Sequence, residues 1–324
     1  MTIDLSNKTI LLTGGTGSFG NAFVERVIRE WPSAIVRIYS RDELKQAQMR
    51  ERFGDEQLRF FIGDVRNKTR LFRATQGADV VVHAAAMKQV PACEYNPFEA
   101  VQTNILGGQH VVDCGIDAGV ELVLALSTDK AVNPVNLYGA TKLCAEKIFV
   151  QGNTYASRSE TRLACVRYGN VVGSRGSVVP LFRRQQEAGQ PLTITDERMT
   201  RFWITLPEAV DLVLFALANM RGGEVFIPRL PSMRVTDLAA AIGDGSPTET
   251  IGIRPGEKLH ELLMTNDEAR HAVRVGDVYV VLPESHSWDK GTDWQGELVP
   301  EGFVYSSGTN ETWLTRDELV EMML

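Results

Sequence analysis

Short apolar runs alternate with amphipathic stretches along the first half of the chain. The runs are rich in β-branched residues, which is typical of buried strands, and the stretches between them have helical spacing. Strands are predicted at 9–13, 35–39, 58–62, 78–86, 120–126 and 163–168, and helices at 21–30, 96–118, from 137 onwards and at 206–218. Strands that alternate with helices form parallel sheets. The pattern therefore predicts an α/β fold with a Rossmann-type doubly wound parallel sheet.

Composition and charge narrow the class of protein. The chain has 324 residues, a formal net charge of -7, 44% hydrophobic residues and 23% charged residues, which is ordinary for a globular protein. No basic block stands out, which argues against nucleic acid as the main partner. No apolar run reaches the roughly 18 residues that a membrane span needs, and residues 1–8 are too polar for a signal peptide. We therefore expect a cytoplasmic protein without a membrane partner.

The four cysteines, Cys93, Cys114, Cys144 and Cys165, are widely spaced and have no histidine cluster beside them. Such spacing indicates neither a disulfide framework nor a metal site. We expect four core or near-core thiols and no bound metal.

A glycine loop lies between the first predicted strand and the first predicted helix. Gly14, Gly17 and Gly20 have the G-x-x-G-x-x-G spacing of a dinucleotide-binding loop, in which the backbone approaches a pyrophosphate closely and the helix amino terminus supplies positive charge. A plain tight turn is the other interpretation, and the position between strand and helix favours a cofactor. The candidate contacts in this loop are Gly14, Thr16, Gly17, Ser18, Phe19 and Gly20.

The residues after the second strand bear on the choice of cofactor. An acidic side chain here binds the ribose 2′-hydroxyl of NAD, whereas arginine accommodates the 2′-phosphate of NADP. Ser40, Arg41 and Lys45 favour NADP. Asp42 keeps NAD open, since a small change in register would place its carboxylate at the ribose.

Three further positions at strand ends are candidate cofactor contacts. Asp64, followed by Val65, either meets the adenine amino group or caps the next helix. Small side chains around Ala84 leave room for a ligand against the backbone. Lys88 is either a surface lysine or a contact to phosphate or substrate.

The stretch 127–142 gathers four titratable groups. Tyr138 and Lys142 stand four residues apart on a predicted helix, so both side chains lie on one face and can share a proton. Asp129 and Lys130 lie in the loop at the carboxyl end of a strand, where ligands bind in open α/β sheets. Each pair alone occurs often by chance or on a solvated surface. Together with the glycine loop, they indicate an active site.

Longer motifs carry a family resemblance. They read T-G-G-T-G-S-F-G in the first loop, S-T-D-K-A-V-N-P-V-N-L-Y-G-A-T-K at 127–142, V-R-Y-G-N-V-V-G-S-R-G-S-V-V-P at 166–180 and I-R-P-G-E-K-L-H-E at 253–261. With them the chain resembles the extended short-chain dehydrogenase/reductase family, and within it the inverting UDP-N-acetylglucosamine 4,6-dehydratases that start pseudaminic acid synthesis for flagellin and surface glycans. The resemblance runs from the first strand to about residue 261, and a weaker similarity follows at 305–324.

The resemblance implies a set of catalytic roles. Tyr138, made more acidic by Lys142, takes the proton of the sugar 4-hydroxyl while hydride passes to NADP, and Thr128 holds the sugar nearby. Asp129 is the acid at C6 and Lys130 the base at C5, so we expect the pKa of Lys130 to be lowered by burial or by neighbouring cations. Retaining dehydratases carry Asp-Glu at this pair, which is why inversion at C5 is expected here.

The regular alternation of strands and helices weakens after residue 169, which indicates a smaller second domain. We predict an NADP-binding domain at 1–169, with 201–227 packing back on it, and a substrate-binding domain formed by 170–200 and 228–324. The stretch 283–302 matches no motif. The resemblance implies homo-oligomers and the UDP-sugar contacts Lys88, Thr128, Asn170, Ser177, Val178, Val179, Pro180, Thr193, Arg201, Arg254 and Glu257.

The two arginines among these contacts suit a diphosphate because the guanidinium makes bidentate contacts. A surface ion pair remains the other interpretation for Arg201, and a turn residue for Arg254.

Two other functions share parts of this pattern. A UDP-hexose 4-epimerase has the glycine loop and the Tyr-Lys pair but needs no acid and base at C5 and C6, so Asp129 and Lys130 argue against it. A non-catalytic NADP-binding regulator would keep the fold, since a fold alone does not fix a function. The intact Tyr138 and Lys142 argue against that interpretation.

Overall fold

The computed structural model describes residues 3–158, 160–174, 176–243, 245–284 and 294–323. In the first half, strands and helices alternate as predicted. The elements are β1 (Thr9–Thr13), α1 (Ser18–Glu30), β2 (Ile35–Ser40), α2 (Glu43–Phe53), β3 (Leu58–Ile62), α3 (Lys68–Thr75), β4 (Val80–His83), α4 (Val90–Tyr95), α5 (Pro97–Ala100), a π-helical turn (Val101–Leu106), α6 (Gly107–Asp117), β5 (Leu122–Thr128), a 3-10 turn (Asp129–Ala131), α7 (Leu137–Gly152), a second 3-10 turn (Tyr155–Arg158) and β6 (Arg162–Tyr168).

Shorter elements follow in the second half. They are β7 (Asn170–Val171), α8 (Val178–Glu187), β8 (Leu192–Ile194), β9 (Thr200–Ile204), α9 (Leu206–Asn219), β10 (Val225–Pro228), β11 (Ser232–Arg234), α10 (Val235–Gly243), β12 (Thr248–Thr250), β13 (Leu262–Met264), α11 (Asn266–Ala269), β14 (Ala272–Val275), β15 (Val278–Val281), β16 (Glu297–Leu298), β17 (Tyr305–Ser306) and α12 (Arg316–Met323).

One sheet dominates the described part of the chain. Its strand order is β3-β2-β1-β4-β5-β6-β10-β15-β14-β16. The pairs from β3 to β10 are parallel, and the last three strands are antiparallel. The chain builds outward from β1 to β3 and then returns to the other side of β1 with β4. The carboxyl ends of β1 and β4 therefore flank a crevice of the kind in which doubly wound sheets bind ligands, and the predicted fold class is confirmed.

Burial explains why these strands read as apolar runs. Every residue of β4 is buried, and β5 is buried up to its last residue, because helices cover both faces of the sheet.

Helix ends are set by local caps: Asn136 accepts from the backbone N of Gly139 at the start of α7, and Thr205 forms a capping box with Glu208 at the start of α9.

A second apolar cluster lies beside the main core. It is formed by side chains of α8, β8, β9, α10 and α12, among them Phe182, Leu192, Trp203, Leu238 and Leu319. Helix α9, in contrast, contributes its buried face to the main core. Region 170–200 thus packs largely apart from the central sheet, and region 206–219 packs on it.

The second domain needs a correction in its carboxyl-terminal part. The predicted boundary assigned 272–281 to the smaller domain, but β14 and β15 pair antiparallel and extend the central sheet beyond β10. The backbone of β15 pairs with the edge that β10 would otherwise expose, and β14 pairs with β15 in turn. Residues 285–293, part of the stretch without a readable motif, lie outside the described residues.

Two smaller expectations also change. The helix predicted at 96–118 is interrupted by the π-helical turn, which buries Asn104. Cys144 is exposed on α7 rather than near the core, whereas Cys93, Cys114 and Cys165 are buried.

Among the described residues, no helix has the length and apolar character of a membrane span, and no group of three metal-ligating side chains forms a metal site.

Candidate active site

A cavity of about 840 Å³ opens at the carboxyl ends of β1, β4 and β5. The structure brings most of the predicted site residues to its wall. They are Gly14, Thr16, Gly17, Ser18, Phe19, Gly20, Ser40, Arg41, Asp42, Lys45, Asp64, Val65, Ala84, Lys88, Thr128, Lys130, Tyr138, Lys142, Asn170, Ser177, Arg254 and Glu257.

The glycine loop has the shape of a diphosphate cradle. Gly14 has a φ of +67°, and a Cβ there would lie 2.8 Å from the backbone N of Ala85. A side chain at Gly20 would collide with the carbonyl of Gly15. Helix α1 begins directly after Gly17, so its free N–H groups face the cavity. The loop can therefore bring bare backbone against an anionic ligand.

Charged side chains line the cavity beyond β2. The carboxylate of Asp42 caps α2 by accepting from the backbone N of Lys45 and also lies 2.7 Å from the Lys45 ammonium. Arg41 is largely exposed, with its Nη1 3.7 Å from Asp64. Asp42 is thus engaged by the helix, while Arg41 remains close to solvent at the cavity edge.

Asp64 is held by arginine and does not cap α3. Its carboxylate accepts from the backbone N and the guanidinium of Arg66, whereas Asn67 caps α3. Burial tends to raise the pKa of Asp64, but its hydrogen bonds with Arg66 and the charge of Arg41 outweigh that effect and lower it. Of the two interpretations of this residue, the helix cap is wrong.

Buried polar atoms without a hydrogen-bond partner among the described residues lie at the cavity wall. Thr103 Oγ1, Ser127 Oγ and Ser177 Oγ belong to residues that line the cavity, whereas Asp129 Oδ2 belongs to a residue buried next to the lining residues Thr128 and Lys130. Buried polar groups are nearly always paired in folded proteins. Together with the glycine cradle, these atoms fit a polar dinucleotide such as a nicotinamide cofactor, with room for a second ligand.

The Tyr-Lys pair lies on the first turns of α7. The ammonium of Lys142 donates to the carbonyl of Leu126 at 2.7 Å, and burial lowers the pKa of Lys142. Burial raises the pKa of Tyr138 to about 12, while Lys130 and a hydrogen bond with Thr128 act in the opposite direction. Lys130, rather than Lys142, is the cation that most favours the phenolate in this structure.

Asp129 and Lys130 form an ion pair on the 3-10 turn after β5. The Asp129 carboxylate is fully buried, accepts from Thr128 Oγ1 at 2.9 Å and lies 3.0 Å from Lys130 Nζ. Burial raises the pKa of Asp129 more than Lys130 lowers it, which suits an acid that keeps its proton. Asn170 Oδ1 accepts from the same ammonium at 3.4 Å.

The expected lowering of the Lys130 pKa is wrong for this structure. Burial acts to lower it, but the carboxylates of Asp129 and Glu261 outweigh burial and raise the pKa above its ordinary value. Glu261 Oε1 lies 3.5 Å from Lys130 Nζ. Lys130 is therefore paired with two acidic side chains, one of which the sequence did not indicate.

Asn104 on the π-helical turn ties the cavity wall together. Its side chain binds both the backbone N and the carbonyl of Met87, at 2.8 and 2.9 Å, and donates to Thr141 Oγ1. It thereby fixes the segment before Lys88 against α7. No signal in the sequence distinguished Asn104 from neighbouring polar residues of this helix such as Gln102 and Thr103.

Five predicted substrate contacts do not line this cavity. Val178, Val179 and Pro180 lie on α8, with Val179 buried in the second apolar cluster. Thr193 is paired with Gln185. Arg201 donates to the carbonyls of Thr200, Lys258 and Leu259. These side chains are held by the protein itself, and Arg201 has a backbone-bracing role that neither earlier interpretation described.

Tyr168 and Ser127 line the cavity although they were not among the predicted contacts. Tyr168 ends β6 beside Tyr138, and burial raises its pKa, with Tyr138 adding to the effect. Position at the carboxyl end of a parallel strand is the signal that could have identified both residues.

Known proteins resemble the chain along most of its length. The family described as polysaccharide biosynthesis protein matches residues 10–283. The sequence is 48% identical over 326 residues to a UDP-N-acetylglucosamine 4,6-dehydratase (inverting) of Campylobacter jejuni subsp. jejuni serotype O:2, covering 98% of each chain. It is 45% identical over 283 residues to a UDP-glucose 4-epimerase of Rickettsia canadensis, covering 84% of this chain and 82% of that protein.

The solved X-ray structure of Pen from Bacillus thuringiensis superposes with a TM-score of 0.89 at 37% identity and covers 99% of both chains. These matches confirm the predicted relationship to the inverting dehydratases and the prediction that the chain is an enzyme of that type.

Proposed function

Because the chain belongs to the polysaccharide biosynthesis protein family, we propose that it dehydrates UDP-N-acetylglucosamine across C4 and C6 with inversion at C5. The product is a UDP-2-acetamido-2,6-dideoxy-L-arabino-hex-4-ulose, and the cofactor is NADP. The observation that carries the proposal is the buried Asp129–Lys130 pair, 3.0 Å apart, on the turn that faces Tyr138. An acid and a base side by side are what an elimination requires.

Tyr138 starts the reaction at C4. Its phenolate accepts the proton of the 4-hydroxyl, and the ammonium of Lys130 together with Thr128 favours that phenolate. The chemistry that NADP supplies when bound is reversible hydride exchange with the sugar, from C4 and back to C6. The residues that would hold NADP are the glycine loop, Arg41 and the wall around Ser127.

Asp129 and Lys130 then carry out the elimination. The 4-ketone acidifies the C5 hydrogen; Lys130 Nζ takes that proton while Asp129 gives its own proton to the departing 6-hydroxyl, and one water leaves. Transfer of one proton from the Lys130 ammonium to Asp129 converts the ion pair that the structure contains into a neutral acid and a neutral amine, and the elimination restores the ion pair. A proton returned to C5 on the opposite face inverts that centre.

The preference for NADP rests on the cavity edge after β2. Asp42 is engaged by α2 and by Lys45, while Arg41, largely exposed and 3.7 Å from Asp64, can turn to meet a 2′-phosphate. Replacing Arg41→Ala should weaken NADP binding roughly 10- to 100-fold, the usual worth of a charge-assisted hydrogen bond, and leave NAD binding unchanged. Arg52→Ala is the matched control, because Arg52 lies on α2 and pairs with Glu25. Equal affinity for the two cofactors in the unaltered protein would remove the preference.

The UDP end of the substrate is assigned to the far wall of the cavity. Arg254, about half exposed and 3.9 Å from Glu257, can turn toward a diphosphate, and Asn170 and Ser177 face the same space. The second apolar cluster supports this wall, and we assign substrate binding to it. Thr193, Arg201 and Val178–Pro180 can contact the substrate only if this cluster moves when UDP binds. Difference titration of an Arg201→Ala variant with UDP measures whether Arg201 becomes such a contact.

Proton NMR in heavy water tests the reaction as a whole. We expect the 4-keto-6-deoxy product of UDP-N-acetylglucosamine, with the L-arabino configuration and one solvent deuterium at C5. Lys130→Ala should keep bound NADP and lose dehydration by about 10² to 10⁴-fold, the usual worth of a positioned base. Unchanged turnover in that variant would remove Lys130 from the mechanism, and retention at C5 would remove the inversion.

A UDP-hexose 4-epimerase is the second candidate, because the Rickettsia relative of that name is 45% identical. Its reaction would use Tyr138 and Lys142 but would give the Asp129–Lys130 pair no catalytic role. Mass spectrometry separates the two, since dehydration removes one water from the nucleotide sugar and epimerisation removes none. NADP binding without turnover of either sugar would instead favour a non-catalytic regulator.

The setting of the enzyme is part of the same proposal. We assign the product to the start of pseudaminic acid synthesis and expect a cytoplasmic homo-oligomer. Light scattering after size-exclusion chromatography measures the number of chains in the assembly. Accumulation of the keto sugar in cells that lack the next enzyme of the pathway would support this assignment.

A further inference from the structure

Glu261 is a buried carboxylate that reaches the acid–base pair from a distant part of the chain. Its side chain is 4% exposed. Its Oε1 lies 3.5 Å from Lys130 Nζ, and its Oε2 lies 3.4 Å from Lys258 Nζ. No hydrogen bond from the described residues reaches Oε2. A carboxylate so deeply buried needs a reason to be charged.

The backbone around Glu261 is held firmly. Its N–H donates to Ser307 Oγ at 2.9 Å, and the N–H of Ser307 donates to the carbonyl of Glu261 at 2.9 Å. Lys258 anchors the same segment to the catalytic turn by donating to the carbonyl of Val132 at 2.6 Å. The carboxylate is therefore presented to Lys130 by a rigid support.

The surroundings keep Glu261 ionised. Burial tends to raise its pKa, but Lys130, Arg201 and Lys258 outweigh burial and lower it. The charged and titratable groups that face the Lys130 ammonium are Asp129, Glu261, Arg201, Tyr138 and Lys88. Among them, Glu261 is the carboxylate whose pKa is lowered, whereas that of Asp129 is raised.

This difference matters once Asp129 holds the proton it donates to the leaving group. Asp129 then offers no negative charge to the amine. As Lys130 takes the C5 proton, positive charge develops on Nζ, and a fixed anion 3.5 Å away stabilises it. In this arrangement Glu261 is the third group, which orients the base without exchanging a proton itself.

We propose that Glu261 is a positioning residue that orients the Lys130 amine and stabilises the ammonium formed when Lys130 removes the C5 proton. The C5–H bond breaks, an N–H bond forms on Nζ, Asp129 protonates the leaving hydroxyl, and Glu261 stays ionised throughout. This inference rests on the proposed dehydration.

The test uses Glu261→Gln, which removes the charge and keeps the shape. We expect kcat on the plateau above the acidic limb to fall about 10- to 100-fold with KM changed less than about threefold, because an interaction made mainly in the transition state is lost. Without Glu261 the pKa of Lys130 falls, so its neutral form persists to lower pH. The acidic limb of the kcat profile should move to lower pH by about one unit or more.

Glu268→Gln is the matched control. Glu268 is another largely buried glutamate close by in the chain, but it pairs with Arg167 away from the cavity. Its pH profile should match that of the unaltered protein. Glu261→Asp keeps the charge, so its acidic limb should stay near the original position while kcat falls. A Glu261→Gln variant with unaltered kcat and pH profile would overturn the proposal.

A readout that needs no turnover separates this inference from the proposed function. Trace labelling of Lys130 with acetic anhydride across pH, followed by mass spectrometry, reports the pKa of its amine in the NADP-bound protein. We expect a lower midpoint in Glu261→Gln than in the unaltered protein and in Glu268→Gln. If the unaltered protein releases no water, the proposed dehydration fails; if the three midpoints coincide, the role of Glu261 fails. Should Glu261→Gln not fold, Glu261→Asp tests the positioning role through kcat, which should fall while the midpoint stays in place; an unaltered kcat would overturn that role.

Discussion

Two buried charge clusters of this protein look alike in composition and differ in how completely they are paired. The core cluster joins Arg167 to Glu146 and Glu268, and the catalytic cluster joins Lys130 to Asp129 and Glu261. In each, one cation lies between two carboxylates, and in the catalytic cluster Glu261 also lies near Lys258 and Arg201. Each also links the central sheet to the segment near β13.

In the core cluster, every guanidinium donor has an acceptor. Arg167 donates to Glu146 through Nε and Nη2, to Glu268 through Nη1 and Nη2, and to the carbonyl of Leu263. In the catalytic cluster, Asp129 Oδ2 has no hydrogen-bond partner among the described residues, and Glu261 Oε2 has the Lys258 ammonium 3.4 Å away but accepts no hydrogen bond of good geometry from the described residues. Completely paired charges fix a core, whereas incompletely paired charges beside a cavity are available for chemistry.

Breaking the core cluster should have the largest effect on folding. Arg167→Met leaves two buried carboxylates without their cation, so we expect the free energy of unfolding to fall by about 3 to 5 kcal/mol. Urea denaturation measures the change. A loss below about 1 kcal/mol would mean that the core cluster is no more structural than the catalytic one.

Asp129→Asn should separate activity from stability. Dehydration should fall about 10² to 10⁴-fold because the acid at C6 is gone. Stability at pH 7 should change by no more than about 1 kcal/mol, since the cost of burying Asp129 is relieved and Lys130 keeps Glu261. Water loss by mass spectrometry and urea denaturation on the same preparation give both quantities. A stability loss as large as that of Arg167→Met would erase the distinction between the clusters.

The pH dependence of Glu268 sharpens the comparison further. Burial tends to raise the pKa of Glu268, but Arg167 outweighs burial and lowers it below the ordinary 4.5. A lowered pKa contributes stability that is present above pH 4.5 and is lost as the pH falls through the folded-state value. Glu268→Gln should therefore be about 1 to 3 kcal/mol less stable than the unaltered protein at pH 7. The difference should shrink below pH 4.5 in urea titrations, and a constant difference would contradict the assignment.

A surface pair provides the smallest expected effect. Arg198 binds Asp196 in a bidentate manner at 2.8 and 2.9 Å, distances similar to those in the core cluster, but the guanidinium is mostly exposed. Exposed pairs are screened by water and contribute little. Arg198→Met should leave the midpoint of thermal unfolding unchanged. A measurable drop would show that distance, rather than burial, sets the strength of these pairs.

The cofactor side of the cavity could be predicted from sequence because its residues are close together in the chain. Gly14, Gly17 and Gly20 form one loop, and Tyr138 and Lys142 form one helical face. Local spacing fixes the geometry of such groups. The predicted strands of the first half also agree with the structure within two or three residues at their ends.

The surroundings of Lys130 and of the proposed substrate contacts depend on contacts that local spacing does not encode. The direction of the Lys130 pKa was wrong because the carboxylates of Asp129 and Glu261 together outweigh burial, and Glu261 comes from a distant part of the chain. Arg201 resembles a substrate contact in its motif, yet its donors are taken up by backbone carbonyls. The pairing of β14 and β15 with the central sheet likewise depends on a distant edge at β10.

The bond from Lys258 to the carbonyl of Val132 spans 126 positions of the chain. Contacts of such long range form late in folding, because the intervening chain must first be brought together. During synthesis the glycine loop and Tyr138 emerge first, at about 5 to 20 residues per second, and the segment carrying Lys258 follows many seconds later. A nascent chain can therefore fold the glycine loop and the turn carrying Asp129 and Lys130 before Lys258 and Glu261 reach that turn, so the contacts around Lys130 are completed only in the finished protein.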